Sequence, residues 1–212
     1  MATLALAGGG AWVLLASSVL DARAVEVVGT RDLAVDEVRT VAAVPLGTSM
    51  LRLDTKVIES RVAAVPRVAS VQVRSTLDGT VRIKLTERTP VAVLRRGNGV
   101  HLVDANGVDY AVVPAGPPGL PELRVTGGTG HRDAATVAGL RVLTGLPVWL
   151  RGQVRSIAAR SPADVVLRLA DDREVRWGGV EQGERKAAVL GPLLTQPGRI
   201  YDVSSPTLPT IV

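Results

Sequence analysis

The chain has 212 residues, 46% hydrophobic and 21% charged, which suits a packed core and excludes both a disordered chain and a multi-spanning membrane protein. It has no cysteine, so disulfide frameworks, thiol catalysis and Cys-ligated zinc are excluded, and its two histidines, His101 and His131, are too few for a His-rich metal site. The net charge of +5 is spread thinly, with no basic run longer than Arg95-Arg96 and no aromatic from 21 to 109 on which a base could stack, which argues against nucleic-acid binding.

From Ala2 to Leu20 no side chain is charged. About 20 helical residues cross the roughly 30 Å hydrocarbon core of a bilayer, so residues 1–20 are expected to be a transmembrane anchor in contact with the lipid bilayer. The rival is a secretory signal peptide cleaved at Ala22-Arg23-Ala24, but the basic residues such a signal needs ahead of its apolar stretch are missing. The abrupt start at Met1 suggests that a basic cytoplasmic tail precedes this sequence. Everything from Asp21 onward then lies on one side of the membrane, outside the cytoplasm.

Residues 24–91 read as β-α-α-β-β. Val25-Glu-Val-Val28 is a short strand ended by Gly29-Thr30. Val35, Val38 and Val41-Ala42 recur at helical spacing behind acidic Asp36-Glu37, which the helix dipole favours in a first turn. Pro45 and Gly47 break that helix; Asp54 caps a second, with Ile58, Val62 and Val65 on one stripe and Pro66 as its stop. Val71 and Val73, then Val81, Ile83 and Leu85, alternate with polar residues around a hairpin turn at Asp78-Gly79. One face of this sheet is expected to carry both helices while the other meets solvent.

Residues 92–212 read as a mostly antiparallel sheet with two helices. Val91–Leu94 and His101–Val103 bracket one hairpin, and Asp104-Ala-Asn-Gly107 turns into Val108–Val113. A Pro/Gly-rich connector precedes a strand at Leu123–Val125 and a helix from Asp133 to about Leu143. After Pro147 a meander runs through Val154–Ala159, Val165–Leu169 and Glu174–Trp177, turning at Asp171-Asp172. A helix from about Gln182 to Leu194 leads to the last strand, Ile200–Val203, with Pro206 and Pro209 marking a sheet edge or exposed tail.

Four features carry a family resemblance: Val25-Glu-Val-Val-Gly29, Gly47-x-x-Met-Leu-Arg-Leu53, the strand from Pro66 to Val73, and Glu87-Arg-Thr-Pro90. In this order behind a membrane segment they resemble a POTRA domain of the FtsQ/DivIB cell-division family. Val175-x-Trp-Gly178, the helix bearing Lys186 and the closing Tyr-Asp-Val203 are similar to that family's β domain. The Arg excess, 22 against 3 Lys, together with the Ala and Val content, fits a GC-rich, actinobacterial member. The fold class implied is α+β: a membrane helix, a POTRA domain, then the β domain, whose sheet is expected to continue from the POTRA hairpin. Ala34 departs from the family pattern where Ser or Thr would cap the helix, at a cost of about 1 kcal/mol.

The resemblance implies a bitopic divisome scaffold at the septum, extracytoplasmic beyond its anchor, with FtsB and FtsL-type coiled-coil membrane proteins as partners and no cofactor. An edge strand offers unpaired N–H and C=O groups to an extended partner segment, and the edge is expected at Ile200–Val203 with the tail to Val212. Partner-binding candidates are Arg160, Arg199, Ile200, Tyr201, Val203, Ser204 and Ser205; in better-known members the last two are basic and aromatic. Tyr201 is either an exposed anchor or an inward-facing core residue. Gly127-Gly-Thr-Gly130 lacks the Lys-Ser/Thr of a phosphate loop and reads as a connector. A hydrolase would have to draw its base from two loop histidines, so enzyme activity is not expected. The alternatives are a POTRA-bearing translocation or outer-membrane assembly component, which needs tandem repeats or a barrel, and a secreted hydrolase released by signal cleavage.

Overall fold

A computed structural model describes residues 21–76, 78–125 and 133–212. The expectations for residues 1–20, for Gly127–Gly130 and for His131 lie outside them. Among the described residues no helix is long and apolar enough to cross a membrane. The chain divides after Arg88 into two compact units.

The first unit contains β1 (Ala24–Val28), α1 (Val35–Ala42), α2 (Thr55–Ala63), β2 (Val68–Ser75) and β3 (Thr80–Glu87). β3 lies between a parallel β1 and an antiparallel β2. Ala34 precedes α1 without a side-chain cap, and Asp54 caps α2 by accepting from the N–H groups of Lys56 (3.0 Å) and Val57 (3.2 Å). Val38 and Ala42 from α1, and Ile58 and Val62 from α2, bury against Val81, Ile83 and Leu85 of β3; Arg82 and Lys84 face the other way and are exposed. Asp78 organises the hairpin by accepting from the Thr80 N–H (3.0 Å), with Gly79 at φ +86°. Gly29 ends β1 at φ +94°, where a Cβ would lie 1.9 Å from the Leu85 carbonyl oxygen.

Glu87 closes this unit. Its carboxylate accepts from the backbone N–H groups of Arg31, Asp32 and Leu33, which tie the loop after β1 to the end of β3. Burial opposes its ionisation, but the three donors and nearby Arg67 outweigh it and hold the carboxyl below its ordinary pKa. The unit starts three residues earlier than the strand pattern indicates: Asp21 bridges to Ser49, and Ala22 is buried with its N–H on the Thr48 carbonyl (2.9 Å) and its C=O on the Gly47 N–H (2.8 Å).

The second unit is one nine-stranded sheet built from β4 (Pro90–Arg96), β5 (Gly99–Asp104), β6 (Asp109–Val113), β7 (Glu122–Val125), β8 (Val154–Ser161), β9 (Asp164–Leu169), β10 (Glu174–Gly178), β11 (Ile200–Asp202) and β12 (Thr210–Ile211). The order is β12-β11-β10-β9-β8-β7-β4-β5-β6, antiparallel except at β4–β7, β7–β8 and β10–β11. This sheet does not continue from the first unit's hairpin; the two sheets are separate. Helices α3 (Ala134–Gly145) and α5 (Gly183–Leu193) match the expected pair. A third, α4 (Val148–Arg151), forms because Pro147 is already at φ −61° and its carbonyl collects the N–H groups of Leu150 (3.0 Å) and Arg151 (2.9 Å). Asp133 caps α3 through the Thr136 N–H (2.7 Å).

Leu140, Leu143 and Leu150 pack with Leu123, Ile157, Leu167, Trp177 and Leu190 on one face of this sheet. On the reverse of β4–β6, Val93, Val100, Leu102 and Tyr110 form a smaller cluster with Leu120 against it. Among the described residues the reverse of β7–β10 carries no such cover, and arginines alternate there with Ala158 and Val166.

Candidate partner-binding site

The sheet ends at β12, one strand beyond the expected edge. Ile200 and Val212 exchange two backbone bonds of 2.9 Å, while Val203 and Glu174 tie the other flank of β11 to β10 through Val203 N–H to Arg176 O (3.0 Å) and Glu174 N–H to Arg199 O (2.9 Å). Ile200–Val203 is therefore paired on both sides within its own fold, and strand addition directly to β11 is excluded. In antiparallel pairing the doubly bonded pair Ile200–Val212 makes its neighbour Tyr201–Ile211 the non-bonded pair. The N–H and C=O of Ile211 then point away from β11, to the outside of the sheet. Leu208 and Val212, 78% and 75% exposed, flank this outward pair.

The residues singled out in the sequence separate into four groups. Tyr201 and Val203 are core, 1% and 0% exposed, and present no side chain to a partner. The Tyr201 hydroxyl donates to the carbonyls of Gln196 (2.7 Å) and Gly198 (3.1 Å), and the Arg173 guanidinium lies 5.6 Å above its ring. Ser204 and Ser205 are exposed in the β11–β12 connection, where Asp202 accepts from the Ser204 N–H (2.9 Å) and hydroxyl (2.6 Å). Arg199 is exposed and half-buried Ile200 adjoins it beside a shallow cavity of about 440 Å³ that also takes in Asp171 and Asp172. Arg160, at the β8–β9 turn, is exposed but engaged by both oxygens of Asp164, at 2.8 and 3.2 Å.

Arg160 belongs to a larger feature that the linear sequence does not display. The uncovered face of β7–β10 forms an open cavity of about 680 Å³ lined by Arg124, Ser156, Arg160, Val166, Arg168 and Arg176. Strand alternation puts them there: Val165, Leu167, Val175 and Trp177 point into the core, so their neighbours point out. The register sets Val166 opposite Arg176 and Arg168 opposite Glu174. Glu174 holds Arg168 (3.1 Å) and Arg176 (3.5 Å), and Glu122 holds Arg124 (3.1 Å). These are exposed pairs worth little each, so a partner carboxylate can replace them. Arg124, Arg168 and Arg176 were missed because their common face depends on strand register; the period-2 pattern around each was the available signal.

Both ring nitrogens of His101 are engaged by neighbouring side chains. It is a buried strand residue rather than a loop residue, with Nδ1 2.7 Å from Asp109 Oδ2 and Nε2 2.8 Å from Asn98 Oδ1. Asp171 and Asp172 occupy the expected turn and pair with Arg173 (2.6 Å) and Arg155 (2.9 Å). Lys186 is buried, donates to the Gly179 carbonyl (2.9 Å) and sits 5.9 Å from the Trp177 ring; burial pushes its pKa down. It fastens α5 to the loop after β10.

Comparison with known proteins yields two family matches, the FtsQ-type POTRA domain over residues 20–88 and the C-terminal region of cell division protein FtsQ/DivIB over residues 92–204. Cell division protein FtsQ of Mycobacteroides abscessus is 42% identical over 199 residues, covering 94% of this chain and 64% of its own length. The FtsQ of Mycolicibacterium smegmatis is 44% identical over 199 residues, covering 94% of this chain and 59% of its own. That of Mycobacterium tuberculosis H37Rv is 42% identical over 214 residues, covering 100% and 68%. The chain thus spans about 60% of the length of the first two. Among solved structures, the major extracytoplasmic domain of the cell division protein DivIB from Geobacillus stearothermophilus overlaps 47% of this chain and 85% of its own, at 18% identity and a TM-score of 0.36.

Proposed function

The chain belongs to the FtsQ/DivIB family of cell-division proteins, and from that premise we propose that it is a bitopic divisome scaffold that works by holding partners rather than by chemistry. Residues 1–20 cross the membrane once, and both units lie outside the cytoplasm at the septum. The partner is the FtsB–FtsL pair of coiled-coil membrane proteins, with an extended FtsB segment adding to β12 as a further strand. Acidic side chains of that segment meet exposed Arg199, whose backbone N–H bonds to the Val212 carbonyl (2.9 Å), which gives steering and register more than affinity. Because both sides are membrane-anchored, a modest intrinsic affinity suffices at the raised local concentration.

The observation that carries this reading is the outward N–H and C=O of Ile211 between exposed Leu208 and Val212: a short backbone template with apolar flanks. Signal cleavage after Ala24 is disfavoured because it would remove buried Ala22 and its bonds to Gly47 and Thr48 from the first unit. The translocation alternative is disfavoured by the FtsQ/DivIB match over residues 92–204. The test is site-specific photocrosslinking in dividing cells from positions 204, 205, 208 and 210. A small coiled-coil membrane protein captured there, and not from Ser70 on the first unit, supports the reading. No adduct, together with normal division after deletion of residues 206–212, refutes it.

A further inference from the structure

Leu46 and Leu51 are 60% and 63% exposed and sit in one loop between α1 and α2. Neither packs with the core of the first unit. This loop is not loose: Ala22 bonds to Gly47 and Thr48, and Asp21 bridges to Ser49, so its middle is fastened to the residues that directly follow the uncharged run. We propose that the α1–α2 loop is a membrane-surface contact, with Leu46 and Leu51 inserted at the boundary between lipid headgroups and acyl chains. The proposal rests on the reading of residues 1–20 as a membrane anchor.

The depth follows from chain geometry. An extended residue advances at most about 3.5 Å, so Ala22, two residues past Leu20, lies within roughly 7 Å of the end of the apolar run. The headgroup layer on each side of a bilayer is roughly 5–8 Å thick. Ala22 is therefore within that layer, and the residues hydrogen-bonded to it share its depth. Leu46 directly precedes Gly47 and Leu51 follows Ser49 by two residues, which brings two leucines to an interface where water-exposed apolar side chains gain by insertion. Charges at this end are mixed, Arg23 and Arg52 against Asp21 and Asp78, whose hairpin meets the same entry through Arg23 N–H to Gly79 O (2.8 Å). Recognition is accordingly apolar and does not select anionic lipid. The contact would fix the first unit against the bilayer instead of leaving it to pivot on its anchor.

The absence of cysteine makes a direct test available. Leu46→Cys, Leu51→Cys and Ser70→Cys, each carrying an environment-sensitive fluorophore, are placed in the full chain in phosphatidylethanolamine–phosphatidylglycerol vesicles containing doxyl-labelled lipid. Ser70 is an exposed residue of β2 and serves as reference. Quenching severalfold stronger at 46 and 51 than at 70, retained when phosphatidylcholine replaces phosphatidylglycerol, is the expected result. Equal quenching at the three sites in a chain that still resists alkaline carbonate extraction overturns the contact and leaves the anchor standing. Quenching that disappears with the anionic lipid overturns the apolar basis. A chain released by carbonate overturns the anchor reading, and the contact falls with it.

Discussion

Replacing Ile211 by proline isolates the backbone donor on which the proposed strand addition depends. The Ile211 N–H points away from β11, since the β11–β12 bonds run through Ile200 and Val212. Thr210 ahead of it is already extended, as a residue before proline must be. Ile211→Pro should therefore keep the β11–β12 ladder, apart from losing a side chain that packs against the core, and Ile211→Ala matches that side-chain loss while retaining the donor. The difference between the two is one backbone bond to the partner plus an acceptor left unpaired, about 1–3 kcal/mol, or roughly 5- to 150-fold in Kd. The assay is titration of a labelled FtsB segment against the full chain in nanodiscs, with amide exchange at Ile200 and Val212 checking the ladder. If Ile211→Pro binds as tightly as Ile211→Ala while that exchange is unchanged, the outward pair of Ile211 is not the docking element.

Three further outcomes follow from the two units. Gly29→Ala should destabilise the first unit by more than about 2 kcal/mol, because a left-handed alanine costs about 1–2 kcal/mol before its contact with the Leu85 carbonyl is counted; the second unit should keep its melting transition by Trp177 fluorescence while β3 amides lose exchange protection. Glu87 has a depressed folded pKa, so its contribution is fully present above the ordinary carboxylate value of 4.5 and is lost as pH falls below it through the folded pKa. Glu87→Gln should lower first-unit stability at pH 7 by about 1 kcal/mol and flatten the acid limb of a stability–pH profile; an unaltered limb would contradict the assignment. Tyr201→Phe removes the donor to Gln196 and Gly198 and should cost about 0.5–1.5 kcal/mol in a urea melt with partner binding unchanged, since the hydroxyl faces the core.

The first unit was readable in order because each of its signals is local. A capping aspartate at 54, an Asp-Gly turn at 78 and an alternation through Val81, Ile83 and Leu85 each act within a few residues. The same held for the strands of the β8–β10 meander. What was not readable depended on long-range pairing. The triplet Thr210-Ile-Val212 is β-branched throughout, yet it follows two prolines and is too short to carry a period, so the fold adds a strand where the sequence read a tail. Tyr201 could not be assigned inward or outward until β10 fixed its register. Beyond Pro147 the sequence reads as a meander, whereas that proline starts the short helix α4. The arginine face of β7–β10 follows the same rule, as four arginines up to 52 residues apart in the chain converge only through sheet order.

The narrow junction between β4 and β7 has a mechanical consequence. The two strands meet at a single register pair, Val93 with Glu122, beside one bond from the Val93 N–H to the Pro121 carbonyl (3.0 Å). A pull between the entry to β4 and a polypeptide docked on β12 would run through that seam, where the ladder is thinnest. Ala92, Leu94 and Leu123, gathered beneath α3, act there as a strap. Under tension this unit should part into two rigid plates hinged below α3 before either plate frays, so the load the sheet can bear between these points is set by aliphatic packing at one helix.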